Sequence, residues 1–304
     1  MASDPGVAAL PPLSAELPVS PRPGASIGRI AVRRLLRNPR SLASVGFILI
    51  VILVALLAPV IAPHSFKEQF RGNENQAPSS AFLMGTDYLA RDILSRVMYG
   101  ARVSMFIGVC ATVLALFIGI NVGLFSGYYG GMCDAILMRL TDTVAAFPSL
   151  LLAVAITALF DKPSITIVFV SLGIVGWTGI ARIVRAEVLM LKTLDYVSAA
   201  RALGIGGTRI MFRHILPNCL SPIIVVATLG VAGSILGEAG LSFLGLGVQD
   251  PFPSWGGMLT DSRGYFANYW WEAVFPGLMI VLTVLAFNML GDSLRDALDP
   301  KKVG

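Results

Sequence analysis

The sequence predicts an all-α integral membrane protein with six transmembrane helices and both termini in the cytoplasm. Of its 304 residues, 55% are hydrophobic and only 13% charged, whereas soluble domains average about a quarter charged. Mean hydropathy is +0.76. Apolar runs long enough for the hydrocarbon layer, about 30 Å thick, recur along the chain, and Lys and Arg gather beside alternate runs. The net charge of +5 therefore belongs to membrane flanks and does not indicate nucleic acid. Cys110, Cys133 and Cys219 show no CxxC or framework spacing. They read as small apolar residues, without disulfides.

The elements follow in order. Residues 1–41 form a basic cytoplasmic tail, disordered to about residue 27, where six prolines stand and apolar patterning is weak. The first long apolar run begins beyond residue 40 without a convincing cleavage site, so a signal peptide is not expected. Arg29, Arg33, Arg34, Arg37 and Arg40 precede the first span, 42–62. Residues 63–102 form an outer segment, in which Leu89, Ile93 and Val97, with Asp92 and Arg96, suggest an amphipathic surface helix. Further spans are expected at 103–126, 144–160, 164–181, 220–239 and 273–291, followed by a cytoplasmic tail, 294–304. Most Lys and Arg fall in the tails, at Arg139, or in the loop 182–218, on the inner side of this scheme. Gly119, Gly123 and Gly127, and Gly233 and Gly237, recur at four-residue spacing, as helices need for close packing in lipid; a subunit interface is a compatible reading.

The loop 182–218 contains an unusual polar stretch, DYVSAARALGIGGTRIMFRHILPN. Asp195 can N-cap a helix from Tyr196 to Leu203, with Val197, Ala200 and Leu203 as a shallow apolar face flanked by Ala199. Gly204 suits a left-handed helix end, and Thr208 can cap a second helix leading to Leu216 and Pro217. Such a helix could lie on lipid headgroups or seat in another protein's groove; alanine in place of large anchors leans toward docking.

The same stretch resembles the EAA loop of ABC-importer permease subunits. Ala199, Ala200, Gly204, Leu216 and Pro217 match, with Tyr196 beside them, whereas Ser198 stands at the Glu position and His214 at the first Ile position. With Asp195 as N-cap, a Glu at 198 would complete a capping box. Serine there is expected to cost ~0.5–1 kcal/mol of local support. The stretches beginning MGTDYLARD, GYYGGMCDA, GLSFLGLGVQDPFPSWGG and FPGLMIVLTV are similar to the dipeptide/oligopeptide/nickel branch, more narrowly its C-type permease. Ala90 departs from the family's usual glycine. The resemblance implies a MetI-like permease core, 103–293, preceded by one extra helix, with the EAA loop as a coupling helix on an ATP-hydrolysing subunit. It also implies a homologous permease, two ATP-binding subunits carrying ATP and Mg, and an extracytoplasmic solute-binding protein, in a bacterial cytoplasmic membrane. Di- and oligopeptides are the expected solutes, with nickel, glutathione or opines as alternatives.

Chemistry of the chain's own is not expected. There is no GxxxxGK[ST] phosphate loop and no HExxH, and His64 and His214 stand alone, so neither a cofactor nor a metal is assigned. Asn121, Glu238 and Asn288 lie in or beside spans, where polar groups are costly. They read as interhelical hydrogen-bonding groups or, for Glu238, a residue at the outer interface; alternatively they line the translocation path. GVQDPFPSWGG is a candidate outer gate or docking surface. A secondary transporter would need intramembrane ionisable pairs and inverted repeats, neither of which is visible. A channel or scaffold would work without ATP.

Overall fold

The computed structural model describes residues 34–298. The proline-rich stretch and Arg22, Arg29, Arg33, Lys301 and Lys302 lie outside the described residues. Apart from one isolated bridge between Thr86 and Asp92, all regular structure in the described chain is helical, and residues 62–92 are an irregular segment. Helix α1 (Pro39–Ile61) starts under Asn38, whose side chain accepts from the Arg40 amide, with Pro at its first position, where a missing N–H costs nothing. Helix α2 (Ile93–Tyr129) is about 55 Å long at 1.5 Å per residue. The expected surface helix is simply its first turns. Leu89 precedes it, and no Asp92–Arg96 pair forms, because Asp92 is the N-cap, accepting from the Ser95 amide at 2.9 Å and the Ser95 hydroxyl at 2.6 Å.

The third expected span is not one helix. It is a pair, α3 (Gly131–Ala145) and α4 (Ser149–Thr157), bent by 83°. Pro148 lacks an amide donor and disfavours helix at Phe147, which places the break between them. Helix α5 (Ile165–Leu191) runs ten residues past the expected end of the fourth span, so the loop boundary at 182 falls inside a helix. Hydropathy drops at Arg182, yet Val184, Val188 and Leu191 continue the buried stripe at helical spacing. After α5 come α6 (Asp195–Ala202) and α7 (Gly207–Ile210). Then follow α8 (Leu220–Phe243), α9 (Trp255–Ser262) and α10 (Trp271–Leu298). Among the described residues, five helices are long and apolar enough to cross a membrane, and the bent pair makes up to six. The chain is a multi-pass membrane protein.

The centre of the bundle is a close approach of α2 and α5, which run parallel. A Cβ at Gly119 would lie 2.7 Å from Ile180 Cβ; one at Gly123, 2.7 Å from the Ala181 carbonyl and Val184 Cβ; one at Gly127, 2.8 Å from Val188 Cβ. The glycine spacing therefore serves packing within the chain. Helix α8 returns antiparallel, with Gly108 against Ile235 and Gly230 against Thr112. His64, just beyond α1, bonds Ser95 at the start of α2, and Trp271, at the start of α10, bonds the Thr86 carbonyl. So α1 ends and α10 begins at one end of the bundle. Their other ends, the limits of the described chain, lie at the opposite end, with α6.

Gly123→Val should destabilise the protein by about 1–3 kcal/mol, the usual cost of overpacking, read as a lower melting temperature in detergent. Gly179→Ala, whose Cβ would meet nothing within 4 Å, should leave it unchanged or raise it.

Candidate functional site

Helix α6 is built from backbone, not from its side chains. Its N-cap is Leu194, whose carbonyl accepts from the amides of Val197 at 3.0 Å and Ser198 at 3.2 Å. Asp195 is thus the first helical residue and makes no capping bond. A glutamate at 198 would stand one place too far along for a capping box, so the expected cost of Ser198 does not arise by that route. Asp195 in the first turn and Arg201 in the last still complement the helix dipole. The far end closes as expected. Gly204 has φ +77°, its amide reaches the Arg201 carbonyl at 2.9 Å, and the Ile205 amide reaches the Ala200 carbonyl at 3.1 Å. That double closure is a Schellman end.

Thr208 caps nothing: α7 starts under Gly206 without a side-chain bond. A π-turn, Met211–Ile215, and a 3-10 turn, Leu216–Cys219, then lead directly into α8. Pro217 cannot donate to an α-helical ladder, which accounts for the irregular winding beside it.

The expected apolar face of α6 is split. Val197 and Ala200 are buried in one core with Trp177, Ala181, Val184, Ile210, Met211 and Ile215. Leu203 points away, 81% exposed. The free stripe is instead Tyr196, Ala199 and Leu203, with Ser198 beside it, at i, i+3, i+7. Helical spacing alone puts Leu203 on the side of Tyr196 and Ala199, away from the buried Val197. Around the stripe stand exposed Arg201, Arg209, Phe212, Arg213 and Pro217, with Leu216 half-buried. The Arg201 guanidinium lies 5.2 Å over the Tyr128 ring, and a Cβ at Gly207 would touch that ring at 3.0 Å. Tyr128 is thus a seat for the loop. Nothing local in the sequence links it to residues 201–207, so this contact is visible only in the fold.

The opposite end carries an ionic cluster. Arg91 donates to Asp87 at 2.7 Å and to Asp250 at 3.0 Å, and lies 3.5 Å from Asp261. Arg96, 2% exposed, lies 3.5–3.8 Å from the same three carboxylates. Burial disfavours the Arg91 charge, but Asp87, Asp250 and Asp261 outweigh it and hold its pKa above the ordinary value. Burial pushes Asp261 up to about 6, against the pull of Arg96 and with repulsion from Asp250. Trp255 anchors the same region: its ring N–H donates to the Val97 carbonyl at 3.0 Å and its amide to Ser104 Oγ at 3.1 Å. GVQDPFPSWGG is therefore tied down through Asp250, Ser254 and Trp255. Ala90 stands at φ +57°, a left-handed position that glycine occupies without strain.

The three polar span residues do not converge. Asn121 bonds back to the Phe117 carbonyl at 2.6 Å, and Asn288 is half-buried on α10. Glu238 is fully enclosed, accepting from Ser242 and Ser254 hydroxyls at 2.7 Å each and from Ser104 at 3.4 Å. It ties α8 to α9 and α2 and does not sit at an exposed interface. None of the three borders the main cavity, about 450 Å³, a mainly apolar space lined by aliphatic residues such as Leu150, Leu172 and Ile183 together with glycines and the hydroxyls of Thr112, Ser149 and Ser234. Among the described residues no group of three or more His, Cys, Asp or Glu could hold a metal ion.

A bundle with a broken span and an exposed helical loop between its fourth and fifth long crossings is the architecture of a membrane permease subunit. Comparison with known proteins makes the assignment. Residues 119–304 match the family described as binding-protein-dependent transport system inner membrane component. Residues 26–78 match the N-terminal TM domain of oligopeptide transport permease C. The dipeptide transport system permease protein of Alkalihalophilus pseudofirmus is 45% identical over 95% of this chain and 97% of its own. The glutathione transport system permease protein of Pectobacterium atrosepticum is 43% identical over 88% and 89%. An inward-facing structure of the MetNI methionine ABC transporter shares the fold, with TM-score 0.56 and 17% identity over 67% of this chain and 96% of that one. The chain belongs to the binding-protein-dependent transport system inner membrane component family, and is a permease subunit of an ABC importer.

The Asp261 carboxyl, ordinarily at 3.8 and here about 6, sets a pH dependence. Across that window the folded protein keeps a proton that the unfolded chain has released, so this group's contribution falls as pH rises through about 6. Asp261→Asn should flatten the slope of melting temperature against pH between 4 and 6; an unchanged slope would count against the assignment.

Proposed function

We propose that this chain, with a homologous permease, forms the path of an ATP-driven importer for di- and oligopeptides in a bacterial cytoplasmic membrane. The α6 end faces the cytoplasm. ATP and Mg reside on two ATP-binding subunits, and an extracytoplasmic solute-binding protein delivers solute at the ionic end. The observation that carries this reading is the free stripe Tyr196–Ala199–Leu203 on a helix whose other face is built into the bundle core. An 81% exposed leucine beside three exposed arginines suits a partner's apolar groove with an acidic rim. Both limits of the described chain lie at that end, in keeping with cytoplasmic termini. The peptide assignment draws on relatives named for dipeptide and oligopeptide transport. The relative named for glutathione transport, at 43% identity, favours a second reading, small peptide-like thiols.

The test uses the whole importer. Leu203→Asp should reduce recovery of the ATP-binding subunits with the tagged chain at least about tenfold, since a central apolar contact is worth more than ~1.4 kcal/mol. Gly204→Val, strained by its φ of +77° though nothing lies within 4 Å, should leave the bundle folded and abolish solute uptake. Normal uptake by both variants would refute the docking role of α6.

A further inference from the structure

Helix α3 is poorly embedded: Thr141 is its one buried residue. It is joined to α2 through Gly130 and Gly131, at φ +68° and +53°, a pair of residues whose backbone resists bending least. Polar contacts hold it instead. Both oxygens of Asp134 accept from Arg185 of α5, through Nε and Nη2 at 2.6 Å each, and the Ser126 hydroxyl of α2 donates to the same carboxylate. Further along, Asp142 accepts from Arg182 at 2.9 Å, but both groups are exposed and such a pair contributes little. The Asp134–Arg185 fork is partly buried and fixes direction as well as distance.

The contacts form a continuous mechanical series. Lys192, the C-cap of α5, donates to the Gly127 carbonyl of α2 at 2.7 Å, and α6 begins three residues later. Helix α4 continues α3 through the Pro148 bend, and its Ser149 and Leu150 line the main cavity. Between the loop that carries the exposed stripe and this wall of the cavity, the route through α3 crosses to α5 at one strong polar contact.

We propose that the Asp134–Arg185 pair is a coupling strut: it carries displacement of α6 and α5 into the broken span and so moves the cavity wall. These are positioning residues that touch no solute. The proposal rests on the reading of α6 as the ATPase-docking helix.

The experiment is made on the assembled importer in lipid vesicles with its solute-binding protein, measuring uptake of a radiolabelled dipeptide and ATP hydrolysis together. Asp134→Asn, and Arg185→Lys, which keeps charge but not the fork, should lower dipeptide transported per ATP at least about fivefold, with ATP hydrolysis and complex recovery retained. The exchanged pair, Asp134→Arg with Arg185→Asp, should restore most of the ratio, since the contact itself is what couples; a merely structural role would instead lower ATP hydrolysis or complex recovery together with uptake. Wild-type ratios in both single variants, or no restoration by the exchange, overturn the strut. Leu203→Asp is run beside them. If it disturbs coupling while the Asp134 and Arg185 variants do not, the strut alone fails; if it too is silent, the docking reading fails and the strut with it.

Discussion

The approach of α2 to α5 along Gly119, Gly123 and Gly127 governs the rest of the molecule. Backbone carbonyls and β-carbons of α5 occupy the space that side chains at these glycines would take. In lipid, where apolar side chains gain nothing by leaving the solvent, such contact is a main source of helix association. Because the two helices run parallel, the chain must return between them. That return is the broken α3–α4 span, which has no room in the same seam: α3 is held from outside by ion pairs, and α4 packs Ala153 into a separate apolar cluster with Val168 and Val175 of α5. The core that grows from the seam continues without interruption into Val197, Ala200, Ile210, Met211 and Ile215. The proposed docking loop is thus an extension of the bundle's most tightly packed part.

The two ends of the bundle solve different problems. At the α6 end, irregular winding from Met211 to Cys219 lets a polar helix lie across the bundle and rejoin a long crossing, with Val197 and Ala200 as its anchors. At the opposite end, Arg91, Arg96 and Asp87 are buried and closely paired, and Asp261 and the exposed Asp250 complete the cluster. Arg91 and Arg96 draw Asp87, Asp250 and Asp261, residues far apart in sequence, onto one locus, and Trp255 and Glu238 fasten α9 beside them. A buried charged network is costly if any member is lost, so this end is specified by mutual dependence and the other by apolar packing.

Much of this was legible in the sequence. Apolar length located α1 and α8 closely and the start of α10, whose helix runs seven residues past the expected end, to Leu298, and Gly204 announced its left-handed turn. The glycine spacing pointed to close packing, although not to which helix. Other features were hidden for physical reasons. Hydropathy cannot follow α5 past Arg182, because buried valines at helical spacing continue under exposed charges. It also cannot distinguish a straight span from one broken at Pro148. Local propensity assigned Asp195 and Thr208 as caps, but tertiary packing of Val197 set the start of α6 one residue earlier. Asn121, Glu238 and Asn288 stood out only as polar residues in apolar surroundings. Their partners, a backbone carbonyl for Asn121 and three serines for Glu238, are not readable from composition.

The central claim is that α2, α5 and the α6 loop move as one body. Pulsed electron–electron distance measurement tests it most directly, with spin labels at Thr208, an exposed loop residue outside the docking stripe, and at Phe117, also exposed, and the three native cysteines replaced by alanine. In the assembled importer, the distance between the labels should be the same without nucleotide and with ATP bound. A shift of several ångströms, or a second distance appearing with ATP, would show that the loop moves independently of the bundle and would contradict the claim.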